Sequence, residues 1–154
     1  MVIKVSIDAS GGDFGIPSTI TAGLDALLAF KDLHLYFVGD EAQIQAQLAK
    51  HPKSRTLSTR FEITNASQTI AMDESPAIVL RKKKDSSMRV AIDLVKNQTV
   101  DACVSAGNTG ALVAISRFVL KTIKGIERPA IMGRMPTQIG HTHMLDLGPH
   151  SLTQ

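Results

Sequence analysis

Ala102-Cys103-Val104-Ser105-Ala106-Gly107-Asn108-Thr109-Gly110-Ala111-Leu112 decides how this chain folds. Three apolar residues run straight into a polar, glycine-bearing loop, and Leu112, Ile115 and Val119 then recur at helical spacing. Residues 102–104 are short and apolar, as a buried parallel strand would be, and a helix follows at once. Upstream, Met88, Ala91, Ile92 and Val95 fall at i, i+3, i+4 and i+7, which predicts a helix over residues 87–97.

The same alternation extends to the amino terminus. Residues 2–7 read as a strand, and Pro17 suits the first turn of a helix with Ile20, Leu24, Leu27 and Leu28 on one face. Residues 33–38 form a second strand closed by Gly39-Asp40, and Asp40 can cap a weaker helix over residues 41–50. Residues 51–59 read as polar loop and 61–64 as a third strand. Strands alternating with helices predict a three-layer α/β/α arrangement around a mostly parallel sheet. Ligands of such sheets collect at the carboxyl ends of the strands.

Composition narrows the function. A chain of 154 residues, 44% apolar and 20% charged, is long enough to bury one core. Its formal charge of +3 is mild, and the basic residues are dispersed apart from Arg81-Lys82-Lys83-Lys84. Aromatic residues make up only 4%, too few for the stacking platforms of single-strand binders, so nucleic acid is not an expected partner. Cys103 is the single cysteine, which excludes an intrachain disulfide and any CxxC site. It reads equally as a buried thiol or a nucleophile. No stretch approaches the roughly 20 apolar residues of a membrane span, and the amino terminus lacks signal-peptide features, so a soluble, cytosolic chain is expected.

Two loops fall at strand ends. In Asp8-Ala9-Ser10-Gly11-Gly12-Asp13 the paired glycines allow a tight turn close to a ligand, while Asp8 and Asp13 can fix loop amides or orient a substrate proton. An ordinary turn with capping aspartates reads the same way. In residues 105–110 the backbone amides and the positive end of the following helix point at one spot, where Ser105, Asn108 and Thr109 add donors. That suits a phosphate or an oxyanion. A capped helix with glycines for close packing fits the spacing equally. The loop is neither GxGxxG nor GxxxxGK[ST], so no nucleotide is indicated. Between the loops, Ser75-Pro76 reads as a helix start with Ser75 as cap, and the basic run leads into Asp85-Ser86-Ser87, which mixes anion-binding side chains with a cap for the next helix. His141 and His143 lie two apart, as on one strand face, without a further ligand at metal spacing.

DASGGDFG at residues 8–15, DESPAIVLRKKKDSSM at 73–88, SAGNTGALVA at 105–114 and Arg128-Pro129-Ala130-Ile131 resemble, in order, four signature stretches of the bacterial phosphate acyltransferases of lipid synthesis. The resemblance covers residues 1–148 as the N-terminal part of that domain. Ser10 stands where the family usually has Met, and residues 149–154 form a non-matching tail where the family's strand, resembling Met144-Leu145-Asp146-Leu147-Gly148, continues. It implies an isocitrate/isopropylmalate dehydrogenase-like fold, incomplete at the C-terminus.

The activity implied is transfer of a fatty acyl group from acyl carrier protein to inorganic phosphate, giving acyl phosphate for phospholipid synthesis. No cofactor or metal is implied. Asp8, Lys84 and Asn108 become candidate catalytic residues, with Gly11, Gly12, Ser86, Ser105, Gly107, Thr109 and Gly110 binding substrate. Arg81, Lys82 and Lys83 would contact the acidic carrier protein. A cytoplasmic homodimer is implied, peripheral to the membrane and associated with the membrane acyltransferase that uses acyl phosphate. Three alternatives stand: an inactive truncated chain of the family, a phosphotransacetylase-like enzyme using acyl-coenzyme A, and a nicotinamide-dependent dehydrogenase on a similar fold, against which the absent nucleotide fingerprint argues.

Overall fold

Apolar residues at alternating positions of the first strand, Ile3, Val5 and Ile7, set the frame. The computed structural model describes residues 1–127 and 129–147. In it β1 (Ile3–Asp8) is an interior strand, parallel to β2 (Leu33–Gly39) on one side and to β4 (Ala102–Val104) on the other. β3 (Phe61–Asn65) extends the sheet beyond β2, giving the order β3-β2-β1-β4. Helices α1 (Gly15–Ala29) and α2 (Glu41–Ala49) pack on one face, where Ile20, Leu24, Leu27, Leu35, Phe37 and Ile44 form the larger core. On the other face lies α5 (Ser87–Lys96), with α4 (Pro76–Lys82) and α6 (Thr109–Leu120) packed together around Val79, Met88, Ile92 and Ile115. The fold is therefore the expected α/β layering on a parallel sheet. A crossover toward β2 on one face and a return to β4 on the other is what right-handed connections require.

Local chemistry accounts for the element ends. Asp40 caps α2, its side chain accepting from the Gln43 amide at 2.8 Å. Arg60 donates to the carbonyls of Leu27 at 2.7 Å and Leu33 at 2.9 Å, and also to Phe30, so one guanidinium satisfies acceptors left open where α1 ends.

The structure departs from the sequence reading at several points. Leu28 is exposed, because it lies about 100° round the helix from Leu27, past the edge of the buried stripe. Residues 51–59 contain a short helix, α3 (Lys53–Thr56), and the start of a 3₁₀ turn (Ser58–Arg60), anchored by buried Ser54, whose hydroxyl donates to the Leu48 and His51 carbonyls. Ser75 begins α4 without a side-chain cap bond. β4 is not buried: it is the edge strand, with Ala102 and Val104 exposed. The chain then forms an antiparallel hairpin of β5 (Met132–Thr137) and β6 (Gly140–Leu145), and Gly148, the 149–154 tail and Arg128 of the fourth motif lie outside the described residues.

The packing of α1 on the sheet turns on Gly23. A Cβ there would lie 2.5 Å from Phe37 Cε1 and 2.7 Å from Cζ, on a fully buried ring. Gly23→Ala gains about 1 kcal/mol of helix propensity. Overpacking costs about 1–3 kcal/mol. The substitution is expected to lower stability in urea unfolding, against the propensity scale; a stabilised variant would show that Phe37 can retreat.

Candidate functional site

The parallel pairing of Ile7 with Val104 sets the ends of β1 and β4 side by side. Asp8 follows on one strand and Ser105 on the other, and Ser105 Oγ donates to Asp8 Oδ2 at 2.7 Å across 97 residues of sequence. The same Oγ accepts from the Gly107 amide at 3.1 Å, which fixes the turn between β4 and α6. Asp8 is only 2% exposed, and among the described residues no donor reaches its Oδ1. A buried acceptor left open costs about 1–3 kcal/mol, so Oδ1 is an atom waiting for a donor.

Both glycines of the first loop are dictated by this contact. A Cβ on Gly11 would stand 2.7 Å from Asp8 Oδ2 and 3.0 Å from the Gly107 nitrogen, so any side chain would push the loops apart. Gly12 has φ +89 and lies against Ala106. Met88 of α5 supports the second loop from behind, its Cε 3.0 Å from where a Gly107 Cβ would stand.

Asn108 does something other than offer an amide to a ligand. Its Oδ1 caps α6 by accepting from the Ala111 amide at 3.0 Å, and its Nδ2 is within bonding distance of the carbonyls of Ala71 (3.2 Å), Met72 (2.9 Å) and Glu74 (3.0 Å). The side chain is buried and clasps the 71–74 segment to the start of α6. Thr109 and Gly110 form the first turn of α6, where backbone amides have no intrahelical acceptor and the helix dipole is positive.

The basic run divides. Arg81 and Lys82 close α4 and are exposed, as is Lys84. Lys83 Nζ donates to the Thr69 carbonyl at 2.9 Å and lies 3.7 Å from Glu74 Oε2. Ser67 binds Asp85 through its hydroxyl and its amide, and these bonds hold the Asp85 carboxyl below the usual carboxylate range. Ser86 is buried: its hydroxyl donates to the Lys83 carbonyl at 2.9 Å and accepts from the Arg89 amide at 3.3 Å, capping α5. The structure thus brings Asp8, Gly11, Gly12, Ser105, Gly107 and the start of α6 together. It uses Asn108 and Ser86 as scaffold and leaves Arg81, Lys82 and Lys84 at the surface.

Burial pushes the Cys103 thiol up, opposed by the Ser6 hydroxyl and reinforced by the charge of Asp8. The thiol form dominates near neutrality, so Cys103 is a poor nucleophile. His141 and His143 stack edge to face at 5.1 Å on β6, with Arg134 Nη2 2.9 Å from His141 Nδ1. Phe14 stands 82% exposed at the head of α1.

The fold is an α/β protein with a parallel sheet whose β1 and β4 ends set the buried Asp8 carboxylate beside the amino terminus of α6. The family described as "Fatty acid synthesis protein" matches residues 3–151, and this chain belongs to it. It is 73% identical over 148 residues to the phosphate acyltransferase of Ruthia magnifica, 52% identical over 158 residues to that of Francisella tularensis, and 51% identical over 148 residues to that of Hydrogenovibrio crunogenus. Each comparison covers 96% of this chain but only 43%, 45% and 43% of the respective relative. The chain therefore spans less than half the length of these relatives.

Two measurements follow. Asn108→Asp keeps the cap acceptor on α6 but sets a carboxylate oxygen against the 71–74 carbonyls in place of their donor, so stability should fall by at least about 1–3 kcal/mol. Equal urea midpoints for wild type and Asn108→Asp would refute the clasp. For Cys103, alkylation should accelerate only above the pH at which an ordinary thiol ionises, since its raised pKa keeps the neutral form as pH rises through that range. A reaction already fast at pH 7 would contradict the buried thiol.

Proposed function

We propose that this chain supplies the phosphate-binding half of an enzyme that transfers a fatty acyl group from acyl carrier protein to inorganic phosphate. The observation that carries the reading is Asp8: one carboxylate oxygen is held by Ser105, and the other is buried beside the α6 amino terminus without a donor among the described residues. Monohydrogen phosphate has both things that such a place asks for. Its P–OH hydrogen can be donated to Asp8 Oδ1, and its charged oxygens suit the first-turn amides of Thr109 and Gly110. A side chain that accepts one hydrogen and a helix end that attracts charge fix the orientation of the nucleophile.

In the reaction a phosphate oxygen adds to the thioester carbonyl carbon, the carbon–sulfur bond breaks, and acyl phosphate and a free thiol result. The proton that phosphate carried passes to the departing sulfur, so charge and protons balance. Neither partner needs a covalent enzyme intermediate, because the thioester is activated and phosphate is nucleophilic near neutral pH. Holding the reactants in contact can account for roughly 7 kcal/mol or more of the barrier. Donors aimed at the oxyanion supply a further share. Asp8 orients and accepts the phosphate hydrogen, and Ser105 keeps its carboxylate in place.

Exposed Arg81 and Lys82 offer a cationic surface to the acidic carrier protein, with Lys84 adjacent. Lys83, tied to Thr69 and Glu74, contributes to that surface less than the sequence suggested. The product, a mixed anhydride, would pass to an acyltransferase at the membrane, with a homodimer as the working unit.

Joining this chain at residue 147 to the part of the Ruthia magnifica relative beyond its matched stretch gives an assayable enzyme. Asp8→Asn should lower acyl phosphate formation about a hundredfold or more at unchanged thermal stability. Replacing Arg81 and Lys82 by Ala should raise KM for the carrier protein and flatten its salt dependence, leaving kcat with saturating donor unchanged. A folded chimera that forms no acyl phosphate, or one indifferent to Asp8→Asn, would sink the assignment.

A further inference from the structure

The ladder between β1 and β2 runs one residue past the end of β1 and then loses its partner. The Ala9 amide donates to the Val38 carbonyl at 2.9 Å, and in a parallel ladder the next bond comes back from the Asp40 amide to the Ala9 carbonyl. Among the described residues that bond is not made, because β2 ends at Gly39 and Asp40 opens α2. Ala9 is fully buried, so bulk water does not reach its carbonyl. The Thr19 hydroxyl of α1 takes the vacant place, donating to that carbonyl at 2.7 Å.

What else the hydroxyl could reach decides where its one hydrogen goes. The carbonyls of Gly15 at 3.2 Å and Ile16 at 3.1 Å are those that a helical threonine meets at i−4 and i−3, and each already accepts an amide of the helix. The Ala9 carbonyl is nearer and has no amide. Thr21, two residues on, shows the ordinary case: its hydroxyl donates at 2.8 Å to the Pro17 carbonyl of its own helix.

Ala9 is thereby held at both of its backbone groups. Packing around its small side chain fixes where the residue sits, and the Thr19 bond fixes which way its carbonyl turns, and so the direction in which the chain leaves toward Gly11. On the α1 face the sheet is bare over β4, where Val104 is exposed and where Thr19, Asp8 and Ala106 border the open side. There the loop has little cover, and its direction rests on bonds. The Gly11 amide closes back on the Asp8 carbonyl only at 3.3 Å, a long bond, while Gly11 must pass so close to Asp8 Oδ2 and the Gly107 nitrogen that no side chain fits.

We infer that Thr19 is a positioning residue for the phosphate site: its hydroxyl sets the backbone at Ala9, which keeps the Gly11-Gly12 loop against Asp8 and Gly107. The inference rests on the reading of Asp8 as the group that orients phosphate, and adds to it a residue of α1 that touches neither reactant. A misplacement of about 1 Å can cost about a hundredfold in rate, so loosening this one carbonyl is enough to be read in kinetics.

The variants are made in the chimera described above. Thr19→Val keeps the branched shape and removes the hydroxyl, Thr19→Ser keeps the hydroxyl, and Thr21→Val removes the ordinary helical one. Thr19→Val should lower kcat/KM for phosphate about tenfold or more and leave KM for the carrier protein unchanged; Thr19→Ser should stay within about threefold of wild type, and Thr21→Val should match it. In this chain by itself, amide NMR should show the Gly11 and Gly107 resonances displaced by Thr19→Val and restored by Thr19→Ser, a readout that needs no activity. Unchanged kcat/KM for phosphate in a folded Thr19→Val enzyme, equal losses in the Val and Ser variants or at residue 21, or Gly11 and Gly107 signals that stay in place would each make the bond a matter of stability alone and overturn the inference. So would a Thr19→Val chain that does not fold. Asp8→Asn separates the two levels: if it is silent the phosphate reading itself fails, whereas a damaging Asp8→Asn beside a silent Thr19→Val sinks the role of Thr19 alone.

Discussion

The hydrogen bond from Ser105 to Asp8 holds the two loops together, and the candidate site exists only while it is made. It depends on parallel pairing of β1 with β4, on a glycine at residue 11 because nothing larger fits between Asp8 and Gly107, and on the turn that the Gly107 amide closes back onto Ser105. Each of these would be unremarkable alone. Together they leave one carboxylate oxygen fixed and its twin without a donor among the described residues.

Much of this was legible before any coordinates. The β1, β2 and β3 strands and the helices α1, α2, α5 and α6 follow from apolar periodicity, and the caps Asp40 and Ser86 from residue type. Those are local properties. What the sequence could not show is how side chains distant in the chain engage one another. Asn108 looked like a donor for a ligand because a cap residue and a ligand-binding residue have the same composition; only its contacts with Ala71, Met72 and Glu74, more than 30 residues away, distinguish them. Lys83 resembled its neighbours in the basic run until Thr69 and Glu74 met it. Likewise, apolar residues 102–104 said that a strand wants burial, and not that it would stand at the edge of the sheet.

The scaffold also explains why the site is stiff on one side and open on the other. Buried Met88 and the α5–α6 packing back the 105–110 loop, and α1 is wedged on Phe37 through Gly23. Toward the bare half of the α1 face there is no comparable support, and Phe14, Val104 and Ala106 meet solvent there. Catalytic groups need fixed geometry, while substrates need a way in. Here the fixed wall is already present.

The central position of β1 carries one more consequence, which concerns the order of events during synthesis. β1 can pair with β2 only some thirty residues later, but its other edge waits for β4, with Val5 matched to Ala102. At about 5–20 residues per second that wait lasts roughly 5–20 s. Loop closure over such a span opposes early docking, so the β1–β2–β3 ladder with α1 and α2 is the natural nucleus, and the Asp8–Ser105 contact is among the last to form. A nascent chain that has all of its nucleus still has none of its site.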